Sequence, residues 1–81
     1  MYFVYILWSD KACKYYIGHT SDIEERIMRH NAGREKSTKP YLPWKLLLKI
    51  QKETKSEAII FERKLKNLNT SRLQIFIDKY S

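Results

Sequence analysis

Tyr15-Tyr16-Ile17-Gly18-His19-Thr20 follows Phe3-Val4-Tyr5-Ile6-Leu7 across a polar stretch from Ser9 to Cys13. How these two runs pair decides the fold. Residues 2 to 8, YFVYILW, are aromatic and β-branched, the composition of a buried strand. Lys14 to Ile17 reads as a second strand, with Gly18 as its end. The short polar connection predicts an antiparallel hairpin. Successive side chains of a strand point to opposite faces, so the register decides whether Tyr5 and Tyr16 meet. A pairing with Tyr5 opposite Tyr16 or opposite Gly18 puts both phenols on one face. A slip of one residue separates them.

Outward from the hairpin, Ser21-Asp22-Ile23-Glu24 has the form of a capping box, with Ser21 as the expected N-cap. The helix it opens runs to about Asn31, and Gly33 supplies a C-terminal stop. At about 100° per residue, Ile23, Arg26, Ile27 and His30 fall on one stripe. Two polar side chains therefore share the face that should pack on the sheet. Residues 32 to 43 form a basic loop holding both prolines. Trp44 to Ile50 reads as a third strand. Ser56 is the expected cap of a second helix whose apolar stripe is Ala58, Phe61, Leu65 and Leu68, with Glu62 at its edge. A last short helix is expected from Ser71, carrying Leu73, Ile75, Phe76, Ile77 and Tyr80. The order β-β-α-β-α-α predicts an α+β fold, a small three-stranded antiparallel sheet flanked by helices.

Eighty-one residues bound a single domain, 1–81, with room for one core and one site. A composition 43% hydrophobic and 31% charged is that of a folded chain and argues against disorder. Sixteen basic residues against nine acidic ones give a net charge of +7, which favours an anionic partner, nucleic acid first. No run approaches the roughly 18 to 20 apolar residues of a membrane span. Cys13 is the only cysteine, which excludes an internal disulfide and a thiolate metal cluster and fits a reducing compartment. The first residues lack the pattern of a secretory leader, so the expected location is cytoplasmic.

The polar residues on these elements suit hydrolysis of a phosphodiester. That reaction needs a group to orient or deprotonate water, positive charge on the phosphate oxygens, and help for the leaving oxygen. Glu62 can hold one Mg²⁺ that keeps several of its waters. Arg26 can meet a phosphate as a rigid fork. Tyr5 or Tyr16 can hydrogen-bond the attacking water, although a phenol with its usual pKa near 10 needs a nearby cation to act as a base. His30 is the better-matched base by pKa. Each residue also has a plain structural reading. Tyr5 and Tyr16 suit an aromatic core, His30 suits a helix C-terminus, and Glu62 suits a solvated flank. Arg26 resists this treatment, because a guanidinium on an apolar stripe needs an anion. A salt bridge to Glu62 is the structural alternative to a bound phosphate.

The order of these residues resembles the GIY-YIG nuclease superfamily, in its short single-domain endonuclease group. Phe3-Val4-Tyr5 stands where that family has Gly-Ile-Tyr, and Tyr16-Ile17-Gly18 is the second motif intact. Asp22 to Gly33 looks like the family's helix with its arginine and following histidine. Pro43-Trp44-Lys45-Leu46 looks like the third strand, and Glu57-Ala58 with Glu62, Leu65 and Lys66 looks like the metal-binding helix. The resemblance implies Mg²⁺-dependent (or Mn²⁺-dependent) cleavage of DNA with a single metal on Glu62. It implies that Tyr5, assisted by Tyr16, positions or activates the water, that Arg26 binds the scissile phosphate, and that His30 supports the tyrosine or shares its base role. The late asparagine of larger relatives has no clear counterpart in Asn67 or Asn69. The basic loop, with Arg34, Lys36 and Lys39 and contributions from Ser37 and Thr38, is then expected to grip phosphates. Such contacts give position rather than sequence. The expectation is structure-selective or weakly sequence-selective cutting in DNA repair or recombination, with a protein partner or homodimer as a further source of specificity. The competing accounts are a nucleic-acid-binding module without turnover and a protein-interaction domain using Tyr2, Trp8 and Tyr41.

Overall fold

In a computed structural model that describes residues 1–80, the first aromatic run forms β1 (Tyr2–Ser9) and the second forms β2 (Lys14–Thr20). Cys13 closes the turn between them with a φ of 52°, in the left-handed region. The third strand, β3 (Trp44–Lys52), pairs with the other edge of β1. The sheet is antiparallel in the order β2-β1-β3. β1 is therefore central, and its residues Val4, Tyr5, Ile6 and Leu7 are each no more than 1% exposed. A strand covered on both faces explains why this run is apolar throughout instead of alternating.

The register pairs Tyr5 with Gly18 and Leu7 with Tyr16. This is one of the two pairings that put both phenols on one face. β2 does not end at Gly18, as its glycine suggested, but continues to Thr20. The glycine serves a different need. A Cβ at position 18 would lie 2.6 Å from the Tyr5 hydroxyl oxygen and 2.8 Å from its ring carbon Cζ. The Tyr5 ring thus lies across the bare backbone of its partner and reaches the outer strand.

Two layers cover the sheet. On the tyrosine face lie α1 (Ile23–Asn31) and the loop after it, which contains a short 3₁₀ turn at Lys39–Tyr41. Here Tyr5, Leu7, Ile23 and Trp44 form a core with Phe3, Tyr16, Ile27, Tyr41 and Leu42 around it. On the other face lie α2 (Lys55–Lys66) and α3 (Thr70–Tyr80). Their residues Ala58, Leu65, Leu73 and Ile77 pack on Val4, Ile6 and Ile17. A bulge between Ile6 and Leu7 shifts the β1–β3 register by one residue, so that Leu48 opposes Ile6 and Leu46 opposes Leu7. The extra residue lets Leu47 and Leu48 both pack in the α2–α3 layer while Trp44 enters the other. Tyr2 and Tyr41 belong to opposite layers, so Tyr2, Trp8 and Tyr41 do not make one interaction patch.

The helix starts differ from the sequence expectation by one or two residues. Asp22, not Ser21, caps α1 and accepts from the Glu25 amide, while Thr20 Oγ1 accepts from the Asp22 amide. Thr54, not Ser56, caps α2 through the Glu57 amide. α3 begins at Thr70, with Asn69 accepting from the Arg72 amide. At the far end of α1, Asn31 grips β3: its Oδ1 accepts from the Trp44 amide at 2.8 Å, and its Nδ2 donates to the Trp44 carbonyl at 3.2 Å.

Gly18→Ala should destabilise the domain by about 1–3 kcal/mol, the usual range for forcing a methyl group into a filled core. Urea unfolding is the check. An unchanged midpoint would mean that the Tyr5 ring does not occupy the space above residue 18.

Candidate active site

On the α1 face, four of the expected residues come together. The Tyr5 and Tyr16 rings stack with centroids 6.2 Å apart. His30 meets Tyr16 edge-on at 4.8 Å. The Tyr5 hydroxyl lies 3.1 Å from His30 Nε2, and this hydrogen bond is buried. His30 is 1% exposed. Its other nitrogen, Nδ1, lies 3.0 Å from the hydroxyl of Thr38, which is equally buried. Thr38 is therefore not a phosphate contact, contrary to the sequence expectation; the loop folds inward and spends this hydroxyl on His30.

Arg26 reaches the same place from α1. Its guanidinium stands beside the Tyr5 phenol, close enough to favour the phenolate form. Its Nε is buried and makes no hydrogen bond of normal geometry. Among the described residues no carboxylate pairs with Arg26, so the salt bridge to Glu62 is not formed.

Glu62 comes from α2, on the other side of the sheet. Among the described residues it makes no hydrogen bond to either tyrosine. Its Oε1 is 2.7 Å from His19 Nδ1, and its Oε2 is 2.9 Å from Lys66 Nζ. His19 follows Gly18 on β2, which is an edge strand. The two halves of the site thus approach the same edge from opposite faces, Tyr5 across Gly18 and Glu62 onto His19. They are near enough for the Glu62 charge to act on the Tyr5 phenol. His19 had no role in the sequence reading, and the signal for it was parity: if Gly18 faces Tyr5, residue 19 must face α2. The basic loop residues Arg34, Lys36 and Lys39 are exposed. Asn67 ends α2 and Asn69 caps α3, so neither is part of this group.

A family profile described as the GIY-YIG catalytic domain matches residues 1–74. The chain belongs to the GIY-YIG family. It is 44% identical over 63 residues to the UPF0213 protein YsiG of Lactococcus lactis subsp. lactis, covering 75% of this chain and 59% of that protein. It is 38% identical over 58 residues to a UPF0213 protein of Staphylococcus saprophyticus, covering 70% of this chain and 71% of that protein. Among solved structures, it resembles the solution NMR structure of a UPF0213 protein from Bacillus halodurans, with a TM-score of 0.63, 29% identity, and coverage of 96% of this chain and 84% of the other. The chain spans 59% and 49% of the length of two Lactococcus relatives that it matches. The GIY-YIG family is a nuclease family, and the α+β fold is the one expected for it. No helix among the described residues is long and apolar enough to cross a membrane.

The electrostatics of this GIY-YIG site assign resting protonation states. Burial, then the neighbouring Tyr16, push the Tyr5 phenol well above its usual range, and Arg26 opposes them without winning. Tyr5 is a neutral phenol at rest. Burial holds the His30 pKa below its ordinary 6.5; the charge of Glu35 resists, and Arg26 and Arg29 push further down. His30 is a neutral imidazole at neutral pH. Burial works to raise the Glu62 carboxyl, but hydrogen bonds and charge from His19 and Lys66 outweigh it and leave it below the usual carboxylate range. Glu62 is ionised.

Among the described residues no group of three or more His, Cys, Asp or Glu side chains converges as a metal cage. A single ionised carboxylate nevertheless suits Mg²⁺ or Mn²⁺, hard ions that take oxygen donors, and Mg²⁺ habitually keeps several waters. The residue types therefore fit such an ion on Glu62, in competition with the Lys66 ammonium for Oε2.

The depressed His30 pKa sets a sign for stability. Just below pH 6.5 the unfolded chain binds a proton that the folded one refuses, so stability should fall as the pH drops through that window. His30→Gln should flatten this segment of a stability–pH curve measured by denaturant unfolding. An unchanged slope would place its source elsewhere.

Proposed function

We propose that this chain is a divalent-metal-dependent endonuclease that hydrolyses DNA phosphodiester bonds, with structure-selective or weak sequence selectivity. The observation that carries this reading is Arg26 beside the Tyr5–His30 pair, with its Nε buried without a partner and, among the described residues, no carboxylate against its guanidinium. Buried charges in proteins are normally partnered. A guanidinium that stands at such a cluster with no carboxylate to neutralise it is prepared for an anion with fork-matching oxygens, and a phosphodiester is such an anion. The net charge of +7 adds long-range attraction for a polyanion.

In this reading Arg26 binds the scissile phosphate and neutralises charge growing on its non-bridging oxygens. Tyr5 acts as a proton relay, because its neutral phenol cannot start as a base. It gives its proton to Nε2 of neutral His30 as it takes one from the attacking water. The water oxygen forms the new bond to phosphorus, and the bond to the leaving sugar oxygen breaks with its electron pair on that oxygen. Tyr16 stacks on Tyr5 and keeps its ring in register with His30. Glu62 is the residue that would hold Mg²⁺ or Mn²⁺, whose chemistry there is to stabilise charge on the leaving oxygen. Exposed Arg34, Lys36 and Lys39 supply backbone phosphate contacts, which favour recognition by shape over sequence. A role in DNA repair or recombination and a cytoplasmic location belong to the same proposal.

The test is cleavage of nicked, flapped, branched and single-stranded DNA with Mg²⁺ or Mn²⁺. Glu62→Gln should abolish cutting while leaving DNA binding largely intact. Equal cutting by this variant and the unsubstituted protein would rule out Glu62 as the metal residue. Arg26→Ala should lower kcat by about 10²-fold or more, the scale for loss of one group that meets transition-state charge. A change in KM alone would make Arg26 a ground-state binding residue. DNA binding without turnover under every condition would instead favour a non-catalytic nucleic-acid-binding module.

A further inference from the structure

Thr38 stands in a loop without helical or strand periodicity, yet it is 1% exposed and is held from three sides. Its amide donates to the Glu35 carbonyl at 3.1 Å, and its carbonyl accepts from the Tyr41 amide at 3.1 Å and from the Trp44 indole at 3.0 Å. Trp44 is itself clamped by Asn31 at the end of α1, one residue after His30. The Thr38 hydroxyl is thereby fixed against His30 Nδ1 at 3.0 Å, with the Glu35 carbonyl on its other side at 3.3 Å.

The direction of the proton chain follows from donor and acceptor counting. The Tyr5 oxygen faces Arg26, which only donates. The buried Tyr5 proton therefore needs an acceptor, and His30 Nε2 at 3.1 Å is the one within reach. Nε2 must then be bare, and the ring proton sits on Nδ1. Nδ1–H donates to the Thr38 oxygen, and the Thr38 hydroxyl passes its own hydrogen to the Glu35 carbonyl. The opposite arrangement would put a hydrogen on Nε2, leave the Tyr5 proton without an acceptor, and deprive His30 of its basic lone pair toward Tyr5.

We propose that Thr38 is a positioning residue that locks His30 in the Nδ1–H tautomer, so that the Nε2 lone pair stays aimed at the Tyr5 hydroxyl. Thr38 touches neither the water nor the phosphate; it acts through His30. The effect on turnover rests on the nuclease reading above, but the tautomer does not.

Two measurements test this. Long-range ¹H–¹⁵N NMR of the imidazoles at neutral pH should show His30 Nε2 as the unprotonated nitrogen and Nδ1 as the protonated one. Thr38→Ser, which keeps the hydroxyl, should retain that pattern. Thr38→Val, which keeps the shape and loses the hydroxyl, should populate the Nε2–H form. The Trp44 indole proton, bonded to the Thr38 carbonyl, reports whether the loop is still in place. In cleavage assays Thr38→Val should lower kcat about 10-fold or more with KM little changed, and Thr38→Ser should recover most of it; positioned acid–base groups contribute about 10² to 10⁴. An Nε2–H tautomer in the unsubstituted protein would overturn the proposal. So would an unaltered tautomer in Thr38→Val with the indole signal in place. If Thr38→Val does not fold, the spectra of the unsubstituted protein and Thr38→Ser still decide the tautomer. Absence of cleavage by the unsubstituted protein would remove the nuclease reading and leave the tautomer result standing.

Discussion

The close passage of the Tyr5 ring over Gly18 is the constraint on which the remaining geometry depends. Tyr5 sits on the central strand, within the fully covered run Val4 to Leu7. A phenol rooted there would be a core group with no access to a substrate. With no Cβ on its cross-strand partner, the ring crosses the neighbouring strand and brings its hydroxyl toward the sheet edge. The ring is held by the most buried strand of the molecule, and its oxygen lies where α1, the following loop and the edge strand meet. Sites built on regular elements hold their geometry better than sites built on loops.

Much of this was legible in the chain, for identifiable reasons. The Phe3–Leu7 run has strand composition with no competing helical period, and the Ile23–His30 stripe has helical period with no competing strand pattern. The placement of Arg26 and His30 toward the sheet followed from that period alone. The helix starts were less legible because Thr20, Ser21 and Asp22 are all capable caps, and local sequence does not rank them. Thr20 accepts from the Asp22 amide and so turns the chain before Asp22, which then becomes the capping residue. Leu46-Leu47-Leu48 hid a bulge, since an uninterrupted apolar run carries no face information. Thr38 could not be assigned at all. Its partner, His30, is set by how the loop folds back under Trp44, which is a tertiary event.

Electrostatics divide the labour among these residues. Two groups of opposite tendency share a hydrogen bond: a phenol made harder to deprotonate and an imidazole made harder to protonate, both chiefly by burial. In such a pair the resting proton stays on the phenol and the lone pair stays on the imidazole. That is the state from which a relay can begin, and it needs no preformed phenolate. Arg26 opposes the burial of Tyr5 without overcoming it. A phosphate arriving on the guanidinium would weaken even that help at rest, so the proton shift would have to be driven by the attacking water and the pull of His30 together.

The same burial bears on stability. A domain of 81 residues has a small core and a thin margin. Leaving a guanidinium Nε buried without a partner works against that margin, because an unmet buried donor costs about 1–3 kcal/mol. Glu62 could have relieved it, yet its two oxygens are engaged by His19 and Lys66 on the far side of β2. The acid and the guanidinium come from helices on opposite faces of the sheet, α2 and α1. The unmet donor thus follows from which face each helix covers, and in the proposed reading an anion on Arg26 would meet it without drawing the cation onto the carboxylate.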